Sequence, residues 1–148
     1  MSVLLLMLAV FALLHLPGVR SLAPFRSRHD KAAAAMAAMF LFTSTDHFLT
    51  PGRYLPMMPP ALPAPLLLIY ISGFCELAGA VGLLIRPTRR WAAWGLVALL
   101  IAVFPANIYV ALSGGSIAGL PSSPWYYWMR LPVQFVFIAW AFWLTKNR

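Results

Sequence analysis

Acidic side chains are scarce: three Asp and Glu in 148 residues, against eleven Lys and Arg. Charged residues of both signs make up only 9% of the chain. A soluble domain uses about a quarter, so this chain cannot cover its own surface for water. Hydrophobic residues fill the space instead, at 62%. Cysteine is nearly missing too. A lone Cys75 excludes an intramolecular disulfide, a CxxC redox pair and a Cys/His metal spacing. Lying inside an apolar run, it reads as a small packing residue. There is no Walker loop, no GxSxG, no HExxH and no dinucleotide fingerprint, so no catalytic residue can be named from a motif. The net charge of +8 does not read as a nucleic-acid surface, because the basic residues stand singly or in short groups between apolar runs.

What is present is a series of five apolar segments: Ser2–Leu16, Ala32–Leu49, Pro65–Ile85, Trp91–Leu112 and Trp128–Thr145. A spanning helix needs about 20 mostly apolar residues. The expected fold is an all-α membrane protein, a four-helix transmembrane bundle over residues 31–145 plus an additional N-terminal transmembrane helix within 1–18. The first segment has no basic side chain before Arg20, so it reads as a retained helix rather than a signal peptide. Basic residues are many in the first connection (Arg20, Arg26, Arg28, Lys31), single in the second (Arg53), and several in the third (Arg86, Arg89, Arg90). Arg130 alone borders the fourth, and Lys146 and Arg148 close the chain. Because basic loops mark the cytoplasmic side, five crossings follow, with the N-terminus outside and the C-terminus cytoplasmic. The proline-dense stretch 50–65 cannot be a regular helix. Trp125, Tyr126, Tyr127 and Trp128 read as an aromatic belt at the outer interface.

Polar residues inside apolar segments are expensive and usually face the bundle interior. They are Asp46 and His47 at the outer end of the second segment, Glu76 in the third, Asn107 in the fourth, and Arg130 with Gln134 in the fifth. All sit in the outer half or near the midplane. At 100° per residue, Ser72, Cys75, Glu76, Gly79 and Gly82 share one sector, opposite Leu67, Tyr70, Phe74, Val81 and Ile85. Arg130, Gln134, Phe137 and Ala141 share a face, as do Ala35, Met39, Phe42 and Asp46. Pro105 removes a helix hydrogen bond and frees a carbonyl near Asn107. Arg130 neutralises one acid well, not two, and depth makes Asp46 its nearer partner, leaving Glu76 to Gln134 or Ser72. Three readings stay open: polar glue that fixes helix registry, a ligand or redox pocket, and a proton or ion path. His47 with Met57 and Met58 offers soft-metal donors without a spacing that fixes their geometry. His15 and His29 have no visible partners.

The stretches "DHFLTPGRYLPMMPPALP", "YISGFCELAGAVGLLIRPTRR", "FPANIYVAL" and "WMRLPVQFVFIAW" together resemble the DoxX-like family of small bacterial membrane proteins. The resemblance covers roughly residues 31–145 and leaves the first segment outside. It implies a four-helix membrane bundle in the bacterial cytoplasmic membrane. Some members of that family are subunits of quinone-linked thiosulfate oxidation systems, others associate with redox or thiol-stress partners, and an animal relative acts as a receptor-assembly chaperone. The positions it carries over are His47, Glu76, Asn107, Arg130 and Gln134. The function then expected is a subunit or accessory of a quinone-linked redox or thiol-stress system. Its polar outer pocket would hold a quinone head group, and a membrane or periplasmic partner protein would supply the electron carrier. The alternative is a non-enzymatic assembly partner of another membrane protein, with a small transporter third. A small-residue stripe on the third segment serves either intramolecular packing or a homodimer.

Overall fold

In the computed structural model, residues 2–16 and 27–146 are described. Arg20, Arg26, Arg148 and the boundary between the expected 1–18 and 31–145 units lie outside them. Among the described residues, five α-helices and one 3₁₀ helix make up the regular structure, with no strand. They are α1 (Ser2–Leu13), α2 (Arg28–Leu49), a 3₁₀ helix (Pro51–Met57), α3 (Pro65–Leu84), α4 (Arg89–Ser113) and α5 (Pro124–Leu144).

The helices α2, α3 and α4 are long and apolar enough to cross a membrane. At 1.5 Å per residue, the 22 residues of α2 reach about 33 Å, the thickness of a hydrocarbon core. With 21 residues, α5 has similar reach, and its Trp, Tyr, Arg and Gln lower its hydropathy. The 12 residues of α1 make only about 18 Å, shorter than the spanning segment expected there.

Punctuation in the sequence sets the helix ends. Proline opens α3 and α5, where its missing amide is harmless. Gly114 ends α4 in the left-handed region at φ 67°. The start of α2 comes earlier than the apolar run. Ser27 caps Asp30 N at 2.9 Å, and the Asp30 carboxylate accepts in return from Ser27 N, a capping box that draws Arg28, His29 and Lys31 into the helix.

Consecutive helices pack antiparallel, α2 on α3, α3 on α4 and α4 on α5, while α1 lies against α2. The core is built from small residues: Ala32, Ala33, Ala35, Ala37, Ala80 and Ala93 are buried. Gly79 lets Leu96 of α4 approach so closely that an added Cβ would sit 2.5 Å from Leu96 Cδ2. Close contact of this kind is what holds helices together where lipid removes the hydrophobic drive between them. The outside is apolar as well. Phe74, Phe135 and Ile101 are 64%, 59% and 57% exposed while Ser44, Asn107 and Gln134 are buried, the reverse of a water-soluble surface.

Several face assignments shift. Phe42 is 60% exposed and Cys75 is exposed, so neither packs in the core. The buried stripe of α3 runs through Ile69, Ser72, Gly79, Ala80 and Leu83, one edge of the expected sector, which leaves Cys75 outside. Trp125 and Trp128 are exposed as a belt requires, but Tyr127 is 1% exposed. Its hydroxyl accepts from Ile117 N at 2.8 Å and anchors the α4–α5 connection. The stripe Gln134, Phe137, Ala141 is buried as expected. The proline-dense stretch forms the 3₁₀ helix and then irregular chain.

Candidate functional site: two polar ends joined by small-residue packing

The antiparallel packing gathers polar side chains at two ends. At the Asp30 end, one carboxylate collects several donors. Asp30 accepts from Arg89 Nη1 at 2.8 Å, Arg86 Nη2 at 3.2 Å and Ser27 Oγ at 2.9 Å. Arg89 Nε also donates to the Leu83 carbonyl at 2.8 Å, so a cation closes the C-terminus of α3. The His29 ring packs against Trp143, centroids 5.2 Å apart, and faces Arg89 at 3.5 Å. His15, in the turn after α1, bonds the Phe11 carbonyl through Nδ1. This cluster ties α2, α3, α4 and α5 together. Sequence reasoning passed over Asp30, although Ser27-x-x-Asp30 before an apolar run is a helix-start signature.

At the Asp46 end, the second acid is satisfied locally. Arg53 Nη1 donates to Asp46 Oδ1 at 2.9 Å and Oδ2 at 3.0 Å. Thr50 Oγ1 adds a bond at 2.8 Å, and the Tyr54 hydroxyl donates to Oδ2. The expected Asp46–Arg130 pair does not form. The 3₁₀ helix brings Arg53 back onto the end of α2, where it takes Asp46. Burial, and then the bond to Asp46, push the Tyr54 phenol above its ordinary value of 10.0. Arg53 Nε also donates to the Ala118 carbonyl at 3.0 Å, joining the two connections at this end.

Glu76 lies deeper. Thr43 Oγ1 of α2 donates to Glu76 Oε2 at 2.7 Å. His47 Nε2 stands 3.7 Å from Oε1, ion-pair range but beyond a hydrogen bond. Neither Gln134 nor Ser72 takes the partner role expected of it. Ser72 Oγ donates to the Ile69 carbonyl at 2.8 Å within α3. Two contacts hold the His47 ring in place. Tyr54 stacks on it, centroids 4.3 Å apart and 8° between planes. On the other side, Gly73 leaves room that a Cβ would fill at 2.7 Å from His47 Cβ. His47 Nδ1 is buried without a hydrogen-bond partner. Met57, the soft donor considered beside His47, packs with Val110, Ile117 and Tyr127 instead.

Asn107 and Gln134 form a separate pair. Asn107 Nδ2 donates to Gln134 Oε1 at 3.1 Å, and Gln134 Nε2 donates to the Leu100 carbonyl at 2.8 Å. This lies one residue before Ile101, the carbonyl that Pro105 deprives of its helical donor. Asn107 Oδ1 is buried without a partner. Of the six expected residues, Asp46, His47 and Glu76 thus come together with Thr43, Arg53 and Tyr54. Asn107 and Gln134 bond each other, and Arg130 bonds to neither group. No group of three or more metal-ligating side chains occurs among the described residues.

Fold and site define an all-helical protein with helices apolar enough for a membrane and a partly buried carboxylate–imidazole–phenol cluster at one end. A family model described as "Domain of unknown function (DUF8561)" matches residues 36–145, and the chain belongs to that family. The match takes in the Glu76 cluster and leaves out α1 and Asp30. No curated protein and no solved structure matches the chain.

Proposed function

We propose that this is a small integral protein of the bacterial cytoplasmic membrane. Its Asp46 end faces outward, and its Glu76–His47–Tyr54 cluster holds the polar head of a lipophilic ligand. In this reading α2 to α5 cross the bilayer and the C-terminus lies in the cytoplasm; α1, about 18 Å long, places the N-terminus outside only with the turn up to Leu16 included and the bilayer thinned around it. The basic residues support it: Arg86, Arg89 and Lys146 gather at the Asp30 end, while the Asp46 end carries only Arg53 and Arg130. The ligand class is a quinone, and the protein is a subunit or accessory of a quinone-linked redox or thiol-stress system, akin to the DoxX-like proteins it resembles.

One observation carries this reading. His47 keeps a buried ring nitrogen without a well-formed hydrogen bond, although the Ile69 backbone faces the ring, and Glu76 Oε1 stands 3.7 Å from His47 Nε2, beyond hydrogen-bond range. A fully satisfied polar network would leave neither. A lipophilic head group needs apolar walls and a few convergent polar groups, and Phe48 and Tyr70, stacked 6.1 Å apart, lie beside His47 and Gly73. The residues fit a quinone: Glu76 accepts from a ring hydroxyl, His47 donates to a ring oxygen, and Tyr54 fixes the imidazole plane. The bound quinone would supply the redox chemistry, and the chain's residues would bind it and hold its protons.

The test is purification in mild detergent, lipid extraction and mass spectrometry for quinone, with melting measured against added quinone. Wild type should carry quinone and melt higher with it, and Glu76→Gln should lose most of the shift. If no quinone co-purifies and added quinone leaves melting unchanged, the reading fails.

A further inference from the structure

Every acidic side chain of the sequence, three in all, is already engaged. Asp30 holds Arg86 and Arg89, Asp46 holds Arg53, and Glu76 faces Thr43 and His47. Arg130 therefore has no carboxylate side chain left to pair with. No hydrogen-bond or ion-pair partner meets it among the described residues. Its placement sharpens the problem. Arg130 lies between Tyr127 and Gln134 on one helical stripe, and both are buried. It is half-buried and turned toward the bundle, away from the exposed Trp125 and Trp128. The ionisable groups facing it are the phenols of Tyr54, Tyr126 and Tyr127. The Tyr54 hydroxyl donates to Asp46 and the Tyr127 hydroxyl accepts from Ile117 N. A guanidinium offers five N–H donors and no acceptor, and a charge in an apolar bundle without a counter-charge is strongly unfavourable.

We propose that Arg130 is an anion site that takes a carboxylate, phosphate or sulfonate group entering the bundle at the Asp46 end. The planar guanidinium fork matches two oxygens of such a group. Two sources offer this chemistry, the head group of an anionic lipid and a free small oxyanion. The inference rests on charge and placement at Arg130 and stands independently of the quinone reading at Glu76.

The experiment compares melting of the full-length wild type, Arg130→Gln and Arg130→Lys in nonionic detergent. Buffers are matched in ionic strength and contain chloride alone, inorganic phosphate or acetate, or mixed micelles of phosphatidylglycerol or phosphatidylcholine. In chloride alone, Arg130→Gln should melt at or above wild type, because a half-buried charge without a protein partner is gone. An occupying anion should raise wild type and leave Arg130→Gln unmoved, closing or reversing the gap. Arg130→Lys, which keeps the charge and loses the fork, should need about tenfold more anion for half of the shift, and it reports on the site even if the Gln variant does not fold. Phosphate or acetate acting in detergent identifies a free oxyanion; phosphatidylglycerol acting alone identifies a lipid. The proposal is overturned if no probe separates wild type from the variants, or if both variants melt below wild type by the same margin in every buffer. Neither result alters the quinone test, which is read on Glu76→Gln.

Discussion

The two ends of the bundle hold their charges in opposite ways. At the Asp30 end, one acid collects two arginines from far along the chain, and the idle buried atom is His29 Nε2, beside the clamp rather than in it. At the Asp46 end, the acid is satisfied by an arginine only seven residues along the chain, and the groups beneath it are underused. Glu76 has a spare oxygen, His47 a spare nitrogen, and Arg130 no partner. Long-range ion pairs fix the geometry at one end; a local pair at the other leaves polar atoms free for something from outside. That contrast separates a structural clamp from a site.

The largest effect is expected from breaking the clamp. Asp30→Asn strands Arg89, whose side chain is largely buried, and should lower unfolding stability by about 3 kcal/mol, read by denaturation in mixed micelles. Arg86→Ala removes the 65% exposed partner and should lower it by less than about 1 kcal/mol. An equal loss in both variants would mean that the clamp works through Arg86. Next comes Gly73→Ala at the other end. Its Cβ would meet His47 Cβ, which is not a flexible tip, so α2 and α3 must part. The expected loss is about 1–2 kcal/mol, clash outweighing the helix preference for alanine, and the quinone shift should vanish with it. Unchanged stability and ligand response would detach His47 from the site.

The smallest effect concerns Tyr54. Phenylalanine keeps the stack on His47 and loses the bond to Asp46, lowering stability by about 1 kcal/mol at neutral pH. The pH profile follows from the raised phenol. Above its ordinary 10.0, the unfolded chain has lost this proton while the folded chain keeps it, so stability falls as pH rises past about 10. Tyr54→Phe should fall less steeply there. Parallel profiles would show that Tyr54 is not the phenol held by Asp46.

Much of this was legible in the chain. Hydropathy located each of the five helices to within a few residues, because apolar runs of that length have little choice of structure in lipid. The capped start of α2 was missed because Arg28, His29, Asp30 and Lys31 look like a loop until the Ser27–Asp30 box is read. The helical count put Gln134 and Phe137 inside correctly but placed Phe42 and Cys75 there too. A sector of about 120° says which side of a helix is polar, not where within it the neighbour sits. Depth alone paired Asp46 with Arg130. It could not show that the 3₁₀ helix turns Arg53 back onto α2, which depends on the backbone path of a proline-rich connection.

Arg53 has one more contact. A Cβ on Gly119 would come within 2.7 Å of Arg53 Nη2, and Gly119 sits at φ 80°, where glycine is favoured. The arginine that neutralises Asp46 is thus seated on the backbone of a connection far away in sequence. Positions 53 and 119 are therefore linked in one direction only: a side chain at 119 would displace the tip of Arg53 and strain its own backbone, whereas loss of the arginine leaves a left-handed backbone that still favours glycine. In relatives of this chain, glycine at 119 should persist whether or not position 53 is arginine.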